Sequence, residues 1–469
     1  MIDRQEILEL AREFSLRPAV VEKDYALGWF LGGIGQHPAC RDQWIFKGGT
    51  CLKKCYFETY RFSEDLDFTL LDAAHINEEF LKNLFKEIAI QIYEKSGLEF
   101  PVENMKFELY QNPRGQTSVL GRVGYRGPIA PGGDLPRIKL DLTNDEKVVL
   151  TPIRNKVSHG YSDEPDEGIE ILCYPYEEIF AEKIRALSER ELPRDLYDVV
   201  HLHRHPEMRP DRQNVSRIIK EKCEFKGIPF PSLKALNAEP QRSELESEWA
   251  NMLAHQLPAL PPFAQFWQEL KLVFEWLEGR AVPAAPKHLA FEANEDREWF
   301  PPATAQAWGR RVPLEVIRFA GANHLCVNLG YQGSKRLIEP YSLRRTKSGD
   351  LLLHTIRVDS RQHRSYKVDD IESAEVTTMT FTPFYEVELS PSGPIHAPQQ
   401  TRRNSEGGIR RSVYRGGFQR PAIKYVVECP VCGKHFTRST RNMVLNQHND
   451  KNGYPCSGRH GIYVDTKYP

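Results

Sequence analysis

The chain has 469 residues, of which 40% are hydrophobic and 27% are charged, a composition typical of globular proteins. This length favours two or three domains over one. No apolar run reaches the roughly 18 residues that a membrane-spanning helix needs, and the polar segment 1–6 does not resemble a secretory signal. We therefore predict a cytoplasmic protein without a membrane contact.

Charge is divided unevenly along the chain, although the formal net value is only -1. From residue 390 onward there are 13 lysines and arginines against 4 acidic residues, an excess of 9 positive charges, so the remainder carries -10. A basic tail on an acidic body predicts contact with a polyanion. The alternative is a flexible tail that adds solubility.

Taken in chain order, hydrophobic periodicity predicts an α+β chain. Helical spacing covers residues 1–35, 77–96, 176–190, 195–204 and most of 208–278. Strand alternation covers 43–47, 66–70, 104–110, 118–126 and 136–143. Together these segments form one predicted domain, residues 1–280.

Four further regions follow this domain. Prolines without periodicity indicate a linker at 281–312, and short strands between glycine-containing turns predict a small β domain at 313–389. A polar stretch indicates a flexible basic linker at 390–420. The last segment, 421–469, holds three of the nine cysteines, and the other six have no framework spacing, which indicates reduced thiols.

Two carboxylates two residues apart, Asp65 and Asp67, are the central feature. On a strand this spacing places both on one face, where each raises the proton affinity of the other unless a cation lies between them. A divalent metal such as Mg²⁺ (or Mn²⁺), with substrate phosphates as its other ligands, resolves this repulsion. Alone, an Asp-x-Asp pair is more often a solvated strand end.

Residues on both sides of the pair complete a candidate nucleotide site. Three of them form a short glycine segment: Gly48, Gly49 and Thr50. Glycines let backbone N–H groups approach a triphosphate closely, and a hydroxyl adds a donor. Farther along, Lys139 and Asp141 alternate with apolar residues and share one strand face. Asp141 is therefore a candidate third metal ligand, and Lys139 a candidate partner for phosphate charge.

Five stretches carry a family resemblance. They are VEKDY at 21–25, KGGT at 47–50 with RFSEDLDF at 61–68, IKLD at 138–141, EEIFAEKIRAL at 177–187 and RDLYD at 194–198. In this order they resemble the motifs of the AbiEii/AbiGii toxin nucleotidyltransferases, and the likeness spans about residues 15–280. Thr50 stands where more distant polymerase-like relatives have serine, and it keeps the hydroxyl.

The resemblance implies a DNA polymerase β-like nucleotidyltransferase core with a helical C-terminal half. It implies transfer of a nucleotide from an NTP, with the tRNA 3′ end as acceptor in some members, in a bacterial toxin–antitoxin or anti-phage defence setting. An antitoxin protein is then a possible partner.

The resemblance also makes Lys183, Lys47 and Arg194 candidate nucleotide-binding residues. From the residues alone, the acids Glu178 and Glu182 beside Lys183 equally fit a solvated salt-bridge face. Asp195 and Asp198 equally fit a structural role, with Asp195 as a helix cap.

Three segments of the small β domain carry a second resemblance: RLIEPYSLRR at 336–345, GDLLLH at 349–354 and RSYKVDDI at 364–371. They resemble WYL domains, the Sm/SH3-like β-barrels of bacterial regulators and defence proteins, although leucines replace the naming Trp-Tyr-Leu. The resemblance implies recognition of nucleic acid or nucleotides by Arg336, Arg364 and Tyr366, since arginine suits phosphate. Alternatively, these arginines pair with surface acids: Glu339, Asp359 and Asp369.

The tail offers four ligands to one structural Zn²⁺: Cys429, Cys432, His448 and Cys456. Cys-x-x-Cys-Gly forms a zinc knuckle, and the segment is similar to small bacterial zinc ribbons. His435 and His460 are competing ligands, and redox chemistry is the alternative use of the cysteine pair. Neighbouring cationic and aromatic side chains are candidates for gripping nucleic acid: Lys434, Arg438, Arg441, Lys451, Phe436 and Tyr454.

Three functions remain open from the sequence. The chain is an NTP-dependent nucleotidyltransferase toxin acting on RNA, a nucleotidyltransferase acting on protein, or a nucleic-acid-responsive regulator with an inactive core. The intact set Asp65, Asp67, Asp141 and Lys183 favours the first.

Overall fold

The computed structural model describes residues 1–13, 17–56, 61, 63, 65–112, 114–129, 134–204, 211–254, 256–280, 286–299, 314–389, 424–429, 431–432, 434–438, 445, 448–449, 455–457 and 462–467. The chain divides into two units, Met1–Gln400 and Thr401–Pro469. The predicted linker 390–420, parts of the predicted linker 281–312, and four predicted tail residues lie outside the described residues: Arg441, Lys451, Tyr454 and His460.

The first unit begins with two helices, α1 (Arg4–Glu13) and α2 (Pro18–Gln36). Strand β1 (Trp44–Lys47), helix α3 (Gly48–Cys55) and strand β2 (Asp65–Leu70) follow. Helix α4 (Glu78–Ser96) begins where the Asn77 side chain accepts the N–H of Phe80, and it ends at Gly97 in the left-handed conformation.

A seven-stranded sheet holds the core of this unit. Its other strands are β3 (Met105–Gln111), β4 (Thr117–Gly124), β5 (Arg137–Thr143), β6 (Ile153–Val157) and β7 (Ile169–Cys173). The strand order is β3-β4-β5-β2-β1-β7-β6. The pairs β2–β5 and β1–β7 are parallel, and the other neighbours are antiparallel.

Helices form the second half of the predicted core domain. They are α5 (Tyr176–Arg190), α6 (Pro193–Arg204), α7 (Arg212–Lys226), α8 (Leu233–Leu236), α9 (Gln241–Leu253) and α10 (Phe263–Leu277). Helix α5 packs on α6 and α7, and α6 packs on α9 and α10. Buried aromatic rings fill the last of these contacts, with Tyr197 stacked on Phe266 at 5.0 Å between centroids. The predicted α+β class is confirmed.

The small β domain starts with helix α11 (Leu314–Ala322). Its strands are β8 (Leu325–Tyr331), β9 (Ser334–Arg345), β10 (Leu351–Arg357), β11 (His363–Lys367) and β12 (Ile371–Thr380). They form one antiparallel sheet in the order β11-β10-β9-β8-β12. A closed barrel stays a prediction. Residues 286–299, predicted as linker, contact this domain through β-bridges from Lys287 to Tyr385 and from Glu295 to Thr346.

The described part of the second unit contains five short strands. They are β13 (Lys424–Glu428), β14 (His435–Arg438), β15 (His448–Asn449), β16 (Pro455–Cys456) and β17 (Ile462–Lys467). Three of them form a sheet in the order β14-β13-β17, and β15 pairs with β16. Cys429, Leu445 and Cys456 are buried together. Within the described ranges of both units, no helix has the length and apolar character needed to cross a membrane.

Candidate active site

The sheet register brings the predicted acids to one place. Asp67 lies directly opposite Asp141 on the parallel strand β5 and opposite Lys47 on the antiparallel strand β1. Asp65 lies opposite Lys139. Residues 66 and 68 are fully buried on the other face of β2, which is why the intervening carboxylates face away from the core.

These acids lie in a cavity of about 700 Å³ between the sheet and the helical half. Ten residues were predicted for the nucleotide site, and all except Thr50 line this central cavity: Lys47, Gly48, Gly49, Asp65, Asp67, Lys139, Asp141, Lys183 and Arg194. Residues from four of the five sequence motifs therefore line one cleft.

The carboxyl groups of Asp67 and Asp141 both have raised pKa values. Burial, together with the carboxylate of Asp141, raises the pKa of Asp67 to about 6, although Lys47 and Lys183 act in the opposite direction. Burial also raises the pKa of Asp141. A divalent cation bound between the two carboxylates would relieve both effects, and their hard oxygen atoms suit Mg²⁺.

Asp65 has a different orientation. Its carboxylate lies 3.9 Å from the Lys139 ammonium, and both side chains are about half exposed. Among the described residues, Asp65, Asp67 and Asp141 are not a group whose ligand atoms all lie within 4.8 Å of one another. Holding one cation with all three therefore requires these side chains to move closer together.

The raised pKa of Asp67 makes stability depend on pH. In the metal-free protein, the folded state holds the Asp67 proton more tightly than the unfolded state does, so the Asp67 contribution to stability falls as pH rises from about 4 to about 6.

The same proton affects metal binding. Between about pH 7.5 and about pH 5 the Asp67 carboxyl gains a proton, so the dissociation constant for Mg²⁺ should rise by roughly tenfold. Calorimetric titrations with Mg²⁺ at both pH values, with Asp67→Asn as the control that lacks this group, measure this rise. An unchanged Mg²⁺ affinity would contradict it.

Gly48 allows the close approach of the backbone to Asp67. It has a φ of +79°, and a Cβ atom at this position would lie 1.9 Å from Oδ2 of Asp67. Gly48 begins α3, so the short glycine segment is the first turn of a helix. The positive end of a helix dipole and its free N–H groups favour phosphate at such a position.

Gly48→Ala should therefore displace the Asp67 carboxylate and lower nucleotidyl transfer by about tenfold or more. Gly168→Ala is a matched control, because Gly168 has a φ of +74° but no atom within 4 Å of its Cβ position. Both variants carry backbone strain, and only the first clashes with the site. Equal activities in a steady-state assay would show that the clash is unimportant.

Thr50 differs from its predicted role as a phosphate donor. It is fully buried, and its hydroxyl donates to the backbone carbonyl of Asp65 at 2.6 Å. The hydroxyl is therefore used to attach α3 to β2. Asp24, from the VEKDY stretch, supports the same helix by pairing with Lys53 and Lys54 at 2.5 and 2.7 Å.

Lys47 lies at the buried wall of the cavity. Its ammonium is 3.4 Å from Glu182 and 3.7 Å from Glu146. Burial alone would lower its pKa, but these two carboxylates raise it, so the side chain stays charged. Glu182 also binds the buried Lys222 at 3.3 Å. The charge of Lys47 is thus already paired with protein carboxylates. Lys47 contributes to the electrostatic potential of the cavity and is not an unpaired cation.

Lys183 is held by two buried acids of α6. Its ammonium is 2.7 Å from Asp198 and 3.2 Å from Asp195. Asp198 also accepts two hydrogen bonds from the Arg61 guanidinium, at 2.8 and 3.0 Å. Asp195 and Asp198 thus make the internal ion pairs that a structural role implies. Asp195 binds Lys183 and Arg190 and does not cap the helix.

The solvated salt-bridge face considered for α5 is wrong. Glu178 is fully buried, accepts the N–H groups of Val149 and Leu150 at 2.9 and 2.7 Å, and pairs with Lys222. This carboxylate fixes the loop before β6 to the helix. Glu182 and Lys183 instead line the cavity.

Sequence reasoning missed several residues of the cavity: Tyr110, Glu146, Arg190 and Lys226. Tyr110 donates to Asp141 at 3.4 Å, and Lys226 pairs with Glu146 at 3.0 Å. Tyr110 lies near the end of β3, and the exposed side chains of this strand were the available sequence signal for it. The other three belong to no short motif.

In the β domain, the structure brings together Arg336 and Tyr366. The Arg336 guanidinium lies 5.6 Å from the Tyr331 ring and 6.0 Å from the Tyr366 ring. Arg364 is exposed and donates to Gln362 at 2.6 Å. Two of the three acids predicted as alternative partners pair with other arginines: Arg361 pairs with Glu339, which is buried, and Arg357 pairs with Asp359.

In the second unit, the four predicted zinc ligands form one group. One ligand atom from each of Cys429, Cys432, His448 and Cys456 lies within 4.8 Å of the others. The Sγ atoms of Cys429 and Cys456 are 3.7 Å apart, and Sγ of Cys432 is 3.4 Å from Nε2 of His448. Three thiols and one imidazole at these distances fit a tetrahedral Zn²⁺.

Comparison with known families decides the identity of the first unit. Residues 29–270, more than half of the chain, match the model of the family described as "Nucleotidyl transferase AbiEii toxin, Type IV TA system". The chain belongs to the AbiEii family. The predicted family is therefore confirmed, and AbiEii membership supports nucleotidyl transfer as the activity of the core.

Two solved structures show weaker likenesses to this AbiEii chain. The nucleotidyltransferase toxin MenT4 from Mycobacterium tuberculosis H37Rv has 17% identity and a TM-score of 0.40, over 60% of this chain and 91% of MenT4. The proteasome accessory factor B/C of Arthrobacter aurescens has 13% identity and a TM-score of 0.14, over 80% and 73% of the two chains. Neither score supports an argument about this chain. A comparison with curated proteins gives no match.

Proposed function

We propose that the chain is a metal-dependent nucleotidyltransferase that transfers NMP from an NTP to a hydroxyl of RNA, with the tRNA 3′ end as the favoured acceptor. It acts as a bacterial toxin or anti-phage defence effector with an antitoxin as partner. The observation that carries the proposal is the pair Asp67 and Asp141, side by side in a cavity that also contains the glycine-led start of α3.

In the proposed reaction, the acceptor oxygen forms a bond to the α-phosphorus of the NTP while the bond to pyrophosphate breaks on the opposite side. Asp65, Asp67 and Asp141 would hold Mg²⁺ (or Mn²⁺), which when bound supplies the charge that activates the hydroxyl and stabilises pyrophosphate. Asp141 is the carboxylate that we assign to the acceptor side.

Cationic side chains of the cavity bind the triphosphate in this proposal. Lys183 is positioned by Asp195 and Asp198 at the cavity wall. Arg194 lines the same cavity and makes no ion pair with the part of the chain that the structure describes, so its guanidinium is available for phosphate. The Lys139 ammonium lies 3.9 Å from the half-exposed carboxylate of Asp65. It can exchange this long contact for one to a phosphate oxygen.

The remaining modules are proposed to recognise nucleic acid or nucleotides. Arg336 near two tyrosine rings, with Arg364 on β11, the strand that also carries Tyr366, offers guanidinium and aromatic groups as in a WYL-like ligand site. The tail is proposed to be a zinc-ribbon-like module folded by one Zn²⁺. Its basic charge then favours RNA as the acceptor class.

Two other functions remain as alternatives: transfer to a protein side chain, and nucleic-acid-dependent regulation by an inactive core. One experiment separates the three. The purified chain is incubated with each labelled NTP, Mg²⁺ and either total tRNA or a cell extract, beside Asp65→Ala. Label on RNA that disappears in the variant supports the proposal. Label on protein supports the second function, and no label under any condition supports the third.

The zinc module has its own test. Elemental analysis of the purified chain should show about one zinc fewer per chain in Cys429→Ser than in wild type. Cys223→Ser is the matched control, because Cys223 is a buried cysteine on α7 outside the four-ligand group. The same zinc content in Cys429→Ser and wild type would exclude this ligand set.

A further inference from the structure

A second group of metal-ligating side chains lies in the β domain. It consists of Glu292, Glu295 and His354, with one ligand atom of each within 4.8 Å of the others. The two glutamates belong to the segment 286–299, and His354 belongs to β10, an inner strand of the sheet. The group therefore lies where the segment that follows the helical half crosses the five-stranded sheet.

Two of the ligand atoms are buried and face each other without a hydrogen bond. Oε1 of Glu295 and Nε2 of His354 are 2.8 Å apart, and their side chains are 0% and 1% exposed. Neither atom has a hydrogen-bond partner among the described residues. A buried carboxylate oxygen without a hydrogen bond is costly unless a further group satisfies it.

The rest of the local structure fixes both side chains in place. The other oxygen of Glu295 accepts the N–H of Glu292 at 3.0 Å. The other ring nitrogen of His354 lies 3.0 Å from Nε2 of His363, and the two rings stack at 5.1 Å. This is the arrangement in which one imidazole nitrogen is oriented by a neighbour and the other is free to bind a metal.

Oε1 of Glu295 and Nε2 of His354 are the two atoms that their other hydrogen-bond contacts leave over. A cation between the two groups would bind both atoms and offset the buried carboxylate.

We propose that Glu292, Glu295 and His354 bind a divalent transition-metal cation, with Zn²⁺ as its probe. A tetrahedral Zn²⁺ with ligand bonds of about 2.0–2.2 Å separates its ligand atoms by about 3.3–3.6 Å, so Oε1 of Glu295 and Nε2 of His354, now 2.8 Å apart, would move slightly apart on binding. Glu292 is exposed, so the ion reaches the site from solvent. Two carboxylates and one imidazole distinguish this site from the thiolate-rich site of the tail.

This cation fastens the segment 286–299 to the sheet. The same segment is already bound by the backbone of Asp296 to Arg345 at 2.8 Å and of Lys347 to Asn294 at 2.8 Å. The cation adds a link that depends on metal supply. Its role is to hold the connection between the helical half and the β domain, and it takes no part in nucleotidyl transfer.

The test uses the full-length chain with the tail site removed by Cys429→Ser and Cys432→Ser. Metal-free protein is loaded with Zn²⁺, freed of excess ion and analysed for zinc content. We expect about one zinc per chain in this background and a loss of at least tenfold in zinc affinity with Glu292→Gln. Because Glu292 is exposed, this variant keeps the buried core intact. Glu295→Gln and His354→Gln should abolish binding.

A nearby group provides the matched control. His288, Glu386 and Glu388 also lie within 4.8 Å of one another but are exposed or half-buried. His288→Gln in the same background should keep the zinc. Retention of zinc by both Glu292→Gln and Glu295→Gln, or its loss in His288→Gln alone, would overturn the proposal. Absorption of the Co²⁺-loaded background should lack the sulfur-to-metal bands that wild type gains from its tail cysteines.

Discussion

Asp67→Asn is expected to lower nucleotidyl transfer by about a thousandfold or more, because it removes the carboxylate that faces Asp141 across β2 and β5. Metal-bound charge in such reactions contributes several kcal/mol to transition-state stabilisation, and each 1.36 kcal/mol is a factor of ten in rate. The side chain stays the same size, so the fold is retained. Initial rates with saturating NTP and Mg²⁺ measure the loss.

Asp72→Asn is the matched control for this loss. Asp72 lies just beyond the end of β2, is about half exposed, and caps a short turn by accepting the N–H of Ala74 at 2.8 Å. Asparagine keeps that hydrogen bond, so activity should equal that of wild type. If Asp67→Asn retained activity within tenfold of wild type, the proposed metal site would be wrong.

Asp198→Asn is expected to lower the free energy of unfolding by about 3–5 kcal/mol. Asp198 is fully buried between the Arg61 guanidinium and the Lys183 ammonium. The variant leaves two buried cations with one fewer negative charge, and desolvation of those cations is no longer offset. Urea unfolding followed by fluorescence and circular dichroism measures the change.

An exposed ion pair is the control for this effect. Glu78 lies four residues before Lys82 on α4, pairs with it at 2.6 Å, and is 51% exposed. Glu78→Gln should cost less than about 1 kcal/mol, as exposed pairs do. Similar losses in the two variants would show that burial of the Arg61–Asp198–Lys183 cluster adds little.

Much of the sheet and helix order could be predicted from the sequence. Strands β2 and β5 alternate polar and apolar residues because one face of each is buried, and that period also located Asp65, Asp67 and Asp141. Strands β6 and β7 were missed, since Ile153–Val157 and Ile169–Cys173 are only five residues long and the first holds three polar residues in a row. Helix α3 was missed because two glycines, which are poor helix formers, open it.

The contacts between distant residues could not be predicted. The partner of Arg61 is 137 residues away, and no local pattern indicates which acid it will bind. The direction of the Thr50 hydroxyl depends on how α3 meets β2, which spacing alone does not determine. The packing of 286–299 on the β domain arises from tertiary contacts in a segment that lacks periodicity.

Arg61 has a consequence for the smallest active piece of this chain. Besides Asp198 on α6, its guanidinium binds Gln256, beyond α9, at 2.8 Å, and it lies beneath Gly49. One side chain therefore connects the first turn of α3 to α6 and to the segment after α9, both of which lie much later in the chain. During synthesis on the ribosome, the central cavity therefore cannot assume its final form until the chain has been extended beyond residue 256.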